Sequence, residues 1–189
     1  MKNIYIILSH TGTALSTIIK YYTKDEFSHI SISLDDNIEE MYSFGRLNAY
    51  NPFWGGFVHE STKFGTFKRF KNTMSNVYSL SVEDEQYDRL VKIIKYFDKN
   101  REKYRFNIMG LACVSINKKM IRKNTFYCAE FVKHVLKSAG ISQASELPNI
   151  IKPEDFKYLS GLQLQYRGLF RKYDKRNKLH FRKINVSYI

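Results

Sequence analysis

From residue 28 to residue 34 polar and apolar residues alternate without a break, Ser-His-Ile-Ser-Ile-Ser-Leu. That period of two is the pattern of a strand with one buried face. The turn formers Asp35-Asp36-Asn37 follow, and then a second extended run from 38 to 44, so the stretch predicts a β-hairpin. Ile30, Ile32 and Leu34 share one face of the first strand, and His29, Ser31 and Ser33 share the other. A tight turn at Asp35-Asp36 would bring Glu40, Tyr42 and Phe44 onto the face of His29. A slip of one residue exchanges the faces.

The same reading places a first strand over 2–8, followed by a short helix after Thr11-Gly12-Thr13 that carries Ala14, Leu15, Ile18, Ile19 and Tyr22 on one side. Residues 45–65, rich in Gly, Asn, Pro and aromatics, predict a long surface excursion with a short strand at Phe57-Val58. Strands are expected over 64–70 and 75–80. Ser81-Val82-Glu83-Asp84 has a capping pattern ahead of an amphipathic helix through Tyr87, Leu90, Val91, Ile94 and Phe97, ending near Asn100. Residues 104–116 predict a shorter buried helix that includes Cys113.

The clearest helix runs from Thr125 to Gly140. Cys128, Phe131, Val132, Val135, Leu136 and Ala139 form its apolar stripe, Thr125 can cap its start, and Gly140 sits where a left-handed residue belongs. Pro153 opens a further helical turn, and 162–170 is a last strand. The sum is an α+β chain: one domain over 1–170 and a basic C-terminal tail over 171–189.

Composition narrows the classes. With 189 residues, 43% of them hydrophobic, the chain can build one real core. Its two cysteines form no disulfide framework and have no metal-ligand spacing with the histidines, so neither a metal nor a cofactor is expected. The apolar run from Ile4 to Leu8 is too short for a signal peptide or for the about 20 residues of a membrane span, which predicts a soluble, cytoplasmic protein. The net charge of +13 suits nucleic acid, an anionic membrane or an acidic substrate. Seven Lys or Arg against one Asp in 171–183, with Tyr173 and Phe181 interleaved, read as a solvated arm capable of weak anionic contacts.

Chemistry concentrates on Cys128. At the start of a helix the partial positive charge of the backbone favours a thiolate. A nucleophilic thiol also needs an imidazole and a group that fixes the imidazole. His134 lies off the face of the thiol, whereas His29 sits on a regular strand with a carboxylate plausibly opposite. Cys128, His29 and Glu40 are therefore the candidate catalytic residues, with Glu39 and Ser43 as alternatives to Glu40 if the register differs. Tyr127, Tyr42 and Ser31 are candidates for oxyanion or substrate contacts.

A strand-borne Ser28-His29-Ile30-Ser31, then Glu-x-Tyr at 40–42, and later Tyr127-Cys128-Ala129-Glu130-Phe131-Val132 resemble the circularly permuted NlpC-type papain-like peptidases and amidases. Lecithin:retinol acyltransferase-like proteins share that order, with histidine first and cysteine later. The stretches 42–46 and 54–57 resemble an uncharacterised bacterial branch. The resemblance implies a permuted papain-like fold, an antiparallel sheet or barrel packed on helices that include the nucleophile's. It also implies acyl chemistry, with Cys128 as nucleophile, His29 as base and Glu40 as its orienting partner. The substrate would be a small peptide, an amino-acid conjugate or a lipid carrying an amide or ester. The alternative is a non-catalytic basic module on the same fold that binds nucleic acid or anionic membrane.

Overall fold

The structure, a computed structural model, describes residues 1–12, 25–48, 51–114 and 116–173. Its centre is a six-stranded antiparallel sheet in the order β4-β3-β2-β1-β5-β8. The strands are β1 (Lys2–His10), β2 (His29–Ser33), β3 (Met41–Asn48), β4 (Asn51–Glu60), β5 (Met74–Val82) and β8 (Leu162–Leu169). Two short parallel strands, β6 (Arg105–Phe106) and β7 (Thr125–Phe126), form a separate pair. The helices are α1 (Gly65–Arg69), α2 (Asp84–Lys99), α3 (Ile108–Val114) and α4 (Cys128–Ser138).

The period of two explains how the sheet is covered. Ile4, Ile6 and Leu8 of β1, with Ile30 and Ile32 of β2, face the large core, where α2 and α4 pack. Each such side chain contributes roughly 1.5–3 kcal/mol on burial. Phe131 of α4 anchors this layer, meeting Phe44 at a tilt and Phe57 and Phe97 edge to face, with ring centroids 5.2–5.6 Å away. The opposite face carries a smaller cluster of Tyr5, Ile7, Ile38, Met41, Phe67, Val77, Tyr166 and Phe170.

Helix α4 buries the predicted stripe, but its cap differs. Thr125 belongs to β7, Tyr127 is the N-cap, and Cys128 is the first helical residue. Glu130 reaches back to the N–H of Tyr127 at 3.3 Å. At the other end Gly140 is left-handed (φ 79°) and Ile141 N–H donates to Leu136 O at 3.1 Å, a Schellman ending. Helix α2 closes that end too, because Arg89 Nε donates to Ala139 O at 2.8 Å and Gln86 Nε2 to Gly140 O at 2.9 Å. In α2 itself the cap is Glu83, two residues beyond the expected Ser81, and Gln86 returns to the Glu83 N–H at 3.0 Å.

Three expectations are corrected. Residues 45–65 are no loop excursion. Most of them complete the β3–β4 hairpin, whose register runs from Met41↔Glu60 to Asn48↔Asn51. Residues 64–70 form no strand but the short helix α1, which turns the single buried side chain of Phe67 inward. The β2–β3 register also differs: a tight turn at Asp35-Asp36 would set Ile32 opposite Glu39, but Ile32 stands opposite Tyr42, a shift of three residues that exchanges the faces. Ile38, left-handed at φ 55° and fully buried, widens the turn, and Ser33 Oγ ties it by donating to Glu40 O at 2.7 Å. The expected helix over 13–22 lies outside the described residues, as does the tail beyond 173. The packed structure extends to Tyr173, whose hydroxyl donates to Asp36 O at 2.8 Å. Among the described residues no helix is long and apolar enough to cross a membrane.

Candidate active site

His29 opens β2, and the N-terminal part of α4 packs against β2 and β3. Residues far apart in sequence thus meet where the sheet edge joins the helix. The imidazole is mostly buried and has polar neighbours. Its Nε2–H donates to Glu60, at 3.0 Å to Oε1 and 3.1 Å to Oε2. Ser31 Oγ lies 3.4 Å from the same nitrogen, and the Cys128 thiol is a further hydrogen-bonding neighbour of the ring. Because Nε2 is taken by the carboxylate, Nδ1 is the nitrogen left for sulfur.

These neighbours set the charge of the ring. Burial alone would lower the pKa of His29, but the carboxylate of Glu60 and the hydrogen-bonding thiol of Cys128 outweigh it and raise the value to about 10. The favoured state at neutral pH is an imidazolium between a carboxylate and a sulfur. That is the counter-charge a thiolate nucleophile needs.

Glu60 reaches the ring because the residues in between are small. The register puts Ser31 opposite Ser43 and His29 opposite Gly45, and a Cβ on Gly45 would lie 3.7 Å from His29 Cε1. From the end of β4 the carboxylate lies diagonally over this floor of serines and glycine. Ser31 Oγ–H donates to its second oxygen at 2.5 Å, and the same hydroxyl lies 3.4 Å from His29 Nε2, so serine, carboxylate and imidazole form one small network. Ser43 instead donates to Ile30 O at 2.7 Å and stitches β3 to β2.

The other candidates stand elsewhere. Glu40 is an exposed turn residue whose carboxylate accepts the Tyr42 hydroxyl at 2.9 Å. Glu39 pairs with Lys63 at 2.5 Å. The three-residue shift of register turns Tyr42 and Phe44 away from His29 and toward the helical layer, where Tyr42 stacks on Phe57. Tyr127 is buried and its hydroxyl donates to Ile151 O at 2.9 Å, so it holds the fold behind the thiol. Its backbone caps α4, leaving the N–H groups of the first turn, Cys128 included, without helical acceptors. Ser31 acts on the carboxylate. The remaining described histidines have separate partners or none of this chemistry: His10 meets Ser28 Oγ at 3.2 Å, His59 meets Asp98 at 2.9 Å, and His134 is exposed with its pKa lowered by desolvation.

Glu60 is the residue that sequence reasoning missed. The signal was present in Gly56-Phe57-Val58-His59-Glu60, which alternates as a strand. In it Val58 and Glu60 share the face of His29, while Phe57 and His59 share that of Tyr42. A cavity of about 480 Å³ adjoins Glu60, walled also by Val58, His59, Arg46, Arg69 and Arg101. Cys113 and Cys128 are both free thiols. Among the described residues no three His, Cys, Asp or Glu side chains come together to hold a metal ion.

A thiol at a helix start, an imidazole beside it and a carboxylate on the far ring nitrogen together have the parts for nucleophilic acyl chemistry. No family model matches the chain, and no curated protein matches it either.

Proposed function

We propose that the chain is a cysteine hydrolase of the permuted papain-like type, acting on an amide or ester. The observation that carries this reading is the meeting of Cys128 and Glu60 on one histidine. The three come from an early strand, an edge strand and a late helix. An ordinary buried cysteine has no need of an imidazolium held in place by a carboxylate. The order of histidine before cysteine, and the helix that carries the thiol in its first turn, support the permuted arrangement.

In this mechanism the Cys128 thiolate attacks the carbonyl carbon. A carbon–sulfur bond forms and the carbonyl π electrons move to oxygen. The oxyanion is received by the N–H of Cys128 at the helix start. Collapse re-forms the carbonyl and breaks the bond to the leaving nitrogen or oxygen, which takes a proton from His29. Neutral His29 then accepts a proton from water, or from another acceptor nucleophile, as it attacks the thioester and frees Cys128. Glu60 keeps the ring oriented and stabilises its charged form, a positioning role. Ser31 positions Glu60 in turn.

Alkylation tests the reading without knowledge of the substrate. Iodoacetamide at pH 6 should modify Cys128 faster than Cys113, with the two peptides resolved by mass spectrometry. The His29→Ala variant should lower the Cys128 rate by roughly tenfold or more, as the thiolate loses its counter-charge. A Cys128 rate no higher than that of Cys113, and unchanged in His29→Ala, would defeat the proposal.

A further inference from the structure

On the outer side of α4 lies a second cavity, of about 300 Å³, which neither Cys128 nor His29 lines. Four cations surround it: Lys119 and Arg122 from the segment before β7, and Lys133 and Lys137 from α4. We propose that this cavity is a binding site for a phosphate or diphosphate group, a property separate from the thiol chemistry.

The first argument is the density of positive charge at the cavity. Lys2, Lys63, Lys152, Lys157 and Arg167 each have a carboxylate within 4 Å. Among the described residues none of the four cations at the cavity makes such a pair. Lys133 and Lys137 stand one helical turn apart, a spacing at which like charges repel. Burial, then Lys119 and Lys137, lower the pKa of Lys133, while Asp155 offsets this only in part. Four cations around one small cavity repel one another, and an anion bound among them offsets that repulsion.

The second argument is the donor geometry. Lys133 Nζ donates to Leu147 O and Pro148 O, both at 2.8 Å, which pins the ammonium at the cavity wall and leaves its third N–H for a ligand. Glu130 is the one carboxylate in the lining. Burial raises its pKa, against the Tyr127 N–H, the Asn107 side chain and Lys119, which act the other way, and these two hydrogen bonds occupy its oxygens. Arg122 offers a planar fork and the lysines offer point charges, a mixture suited to phosphate oxygens. Four cations around so small a volume call for an anion of at least two charges. A phosphate monoester or diphosphate supplies them and a lone carboxylate does not. The volume lies at the lower end of small-ligand sites and admits a headgroup rather than a polymer.

The phosphate can come from a free metabolite or from a lipid headgroup, and the test separates the two. Inorganic pyrophosphate is titrated calorimetrically into the full chain at low salt, and co-sedimentation is measured with phosphatidic acid vesicles against phosphatidylcholine vesicles. The double variant Lys119→Gln/Arg122→Gln changes only exposed side chains. It should weaken saturable one-to-one binding by roughly tenfold or more. Lys68→Gln/Lys71→Gln removes the same charge elsewhere and should leave binding unchanged. Cys128→Ala should also bind normally, so failure of the catalytic reading would not touch this one. Binding of pyrophosphate points to a free ligand, and binding of phosphatidic acid alone points to a lipid-borne phosphate. Absence of both, or equal loss in the two double variants, would overturn the site.

Discussion

Glu60 Oε1 lies 3.0 Å from His29 Nε2, although the two residues are neither on neighbouring strands nor directly opposite one another. The contact spans β3, where the small Ser43 lies between the two strands. The charge of the site therefore depends on a carboxylate outside the hairpin that carries the histidine. Replacing Glu60 by Gln should lower the pKa of His29 from about 10 toward the ordinary imidazole value, because the leading charge interaction is lost. Glu40→Gln should leave it in place. The ring Cε1 proton, followed by NMR against pH in the two variants, checks both outcomes. Equal shifts in the two would contradict the assignment.

Stability should fall with pH through the titration of the same ring. The folded protein holds the His29 proton up to about pH 10, while the unfolded chain releases it near 6.5, so above that value the unfolded state binds fewer protons. The stabilisation is complete below about pH 6.5 and disappears as pH rises through about 10. Urea midpoints measured from pH 6 to 10 should decline, with a contribution from this ring of about 2–4 kcal/mol. In His29→Gln that decline should be shallower. A parallel decline in the two proteins would remove His29 as its source.

The aromatic layer beneath the thiol should be the costliest place to cut. Phe131 is fully buried and meets Phe44, Phe57 and Phe97. Phe131→Ala should cost about 3–5 kcal/mol, measured by chemical denaturation. The exposed Tyr96→Ala on α2 should cost well under half as much.

Gly55 is a tighter constraint than its exposed-looking sequence context suggests. A Cβ there would stand 2.6 Å from Gly45 O and 2.6 Å from Phe106 Cβ, both too close for ordinary contact. Gly55→Ala should therefore cost about 1–3 kcal/mol by overpacking. It should also disturb β3 next to His29, visible as a slower Cys128 alkylation in protein that is still folded. Gly45→Ala, whose added Cβ makes only ordinary contacts, should be mild in both assays.

What the sequence disclosed and what it hid have physical reasons. The buried stripe of α4 and the alternation of β2 were legible because their periods match the surfaces they cover. Both residues of the proposed reacting pair were found that way. The β3–β4 hairpin was hidden because its glycines, which usually signal loops, answer here to close packing, with Gly55 against Phe106. The wide turn at Ile38 was hidden as well, since a buried left-handed isoleucine has no local signature. The wider turn shifted the register by three residues and exchanged the faces, so that Glu60 rather than Glu40 stands beside the ring. A side chain placed by the third dimension leaves little trace in local pattern, and Glu60 beside His29 is of that kind.

The anchoring of α4 at its far end, through Arg89 and Gln86 of α2, has a consequence for how the molecule matures. The thiol-bearing helix is clamped by one layer and meets its histidine from another, so neither layer alone assembles the pair. An enhanced reactivity of Cys128 would consequently emerge late in folding, after sheet and helices have docked. It would serve as a chemical clock for completion of the native state.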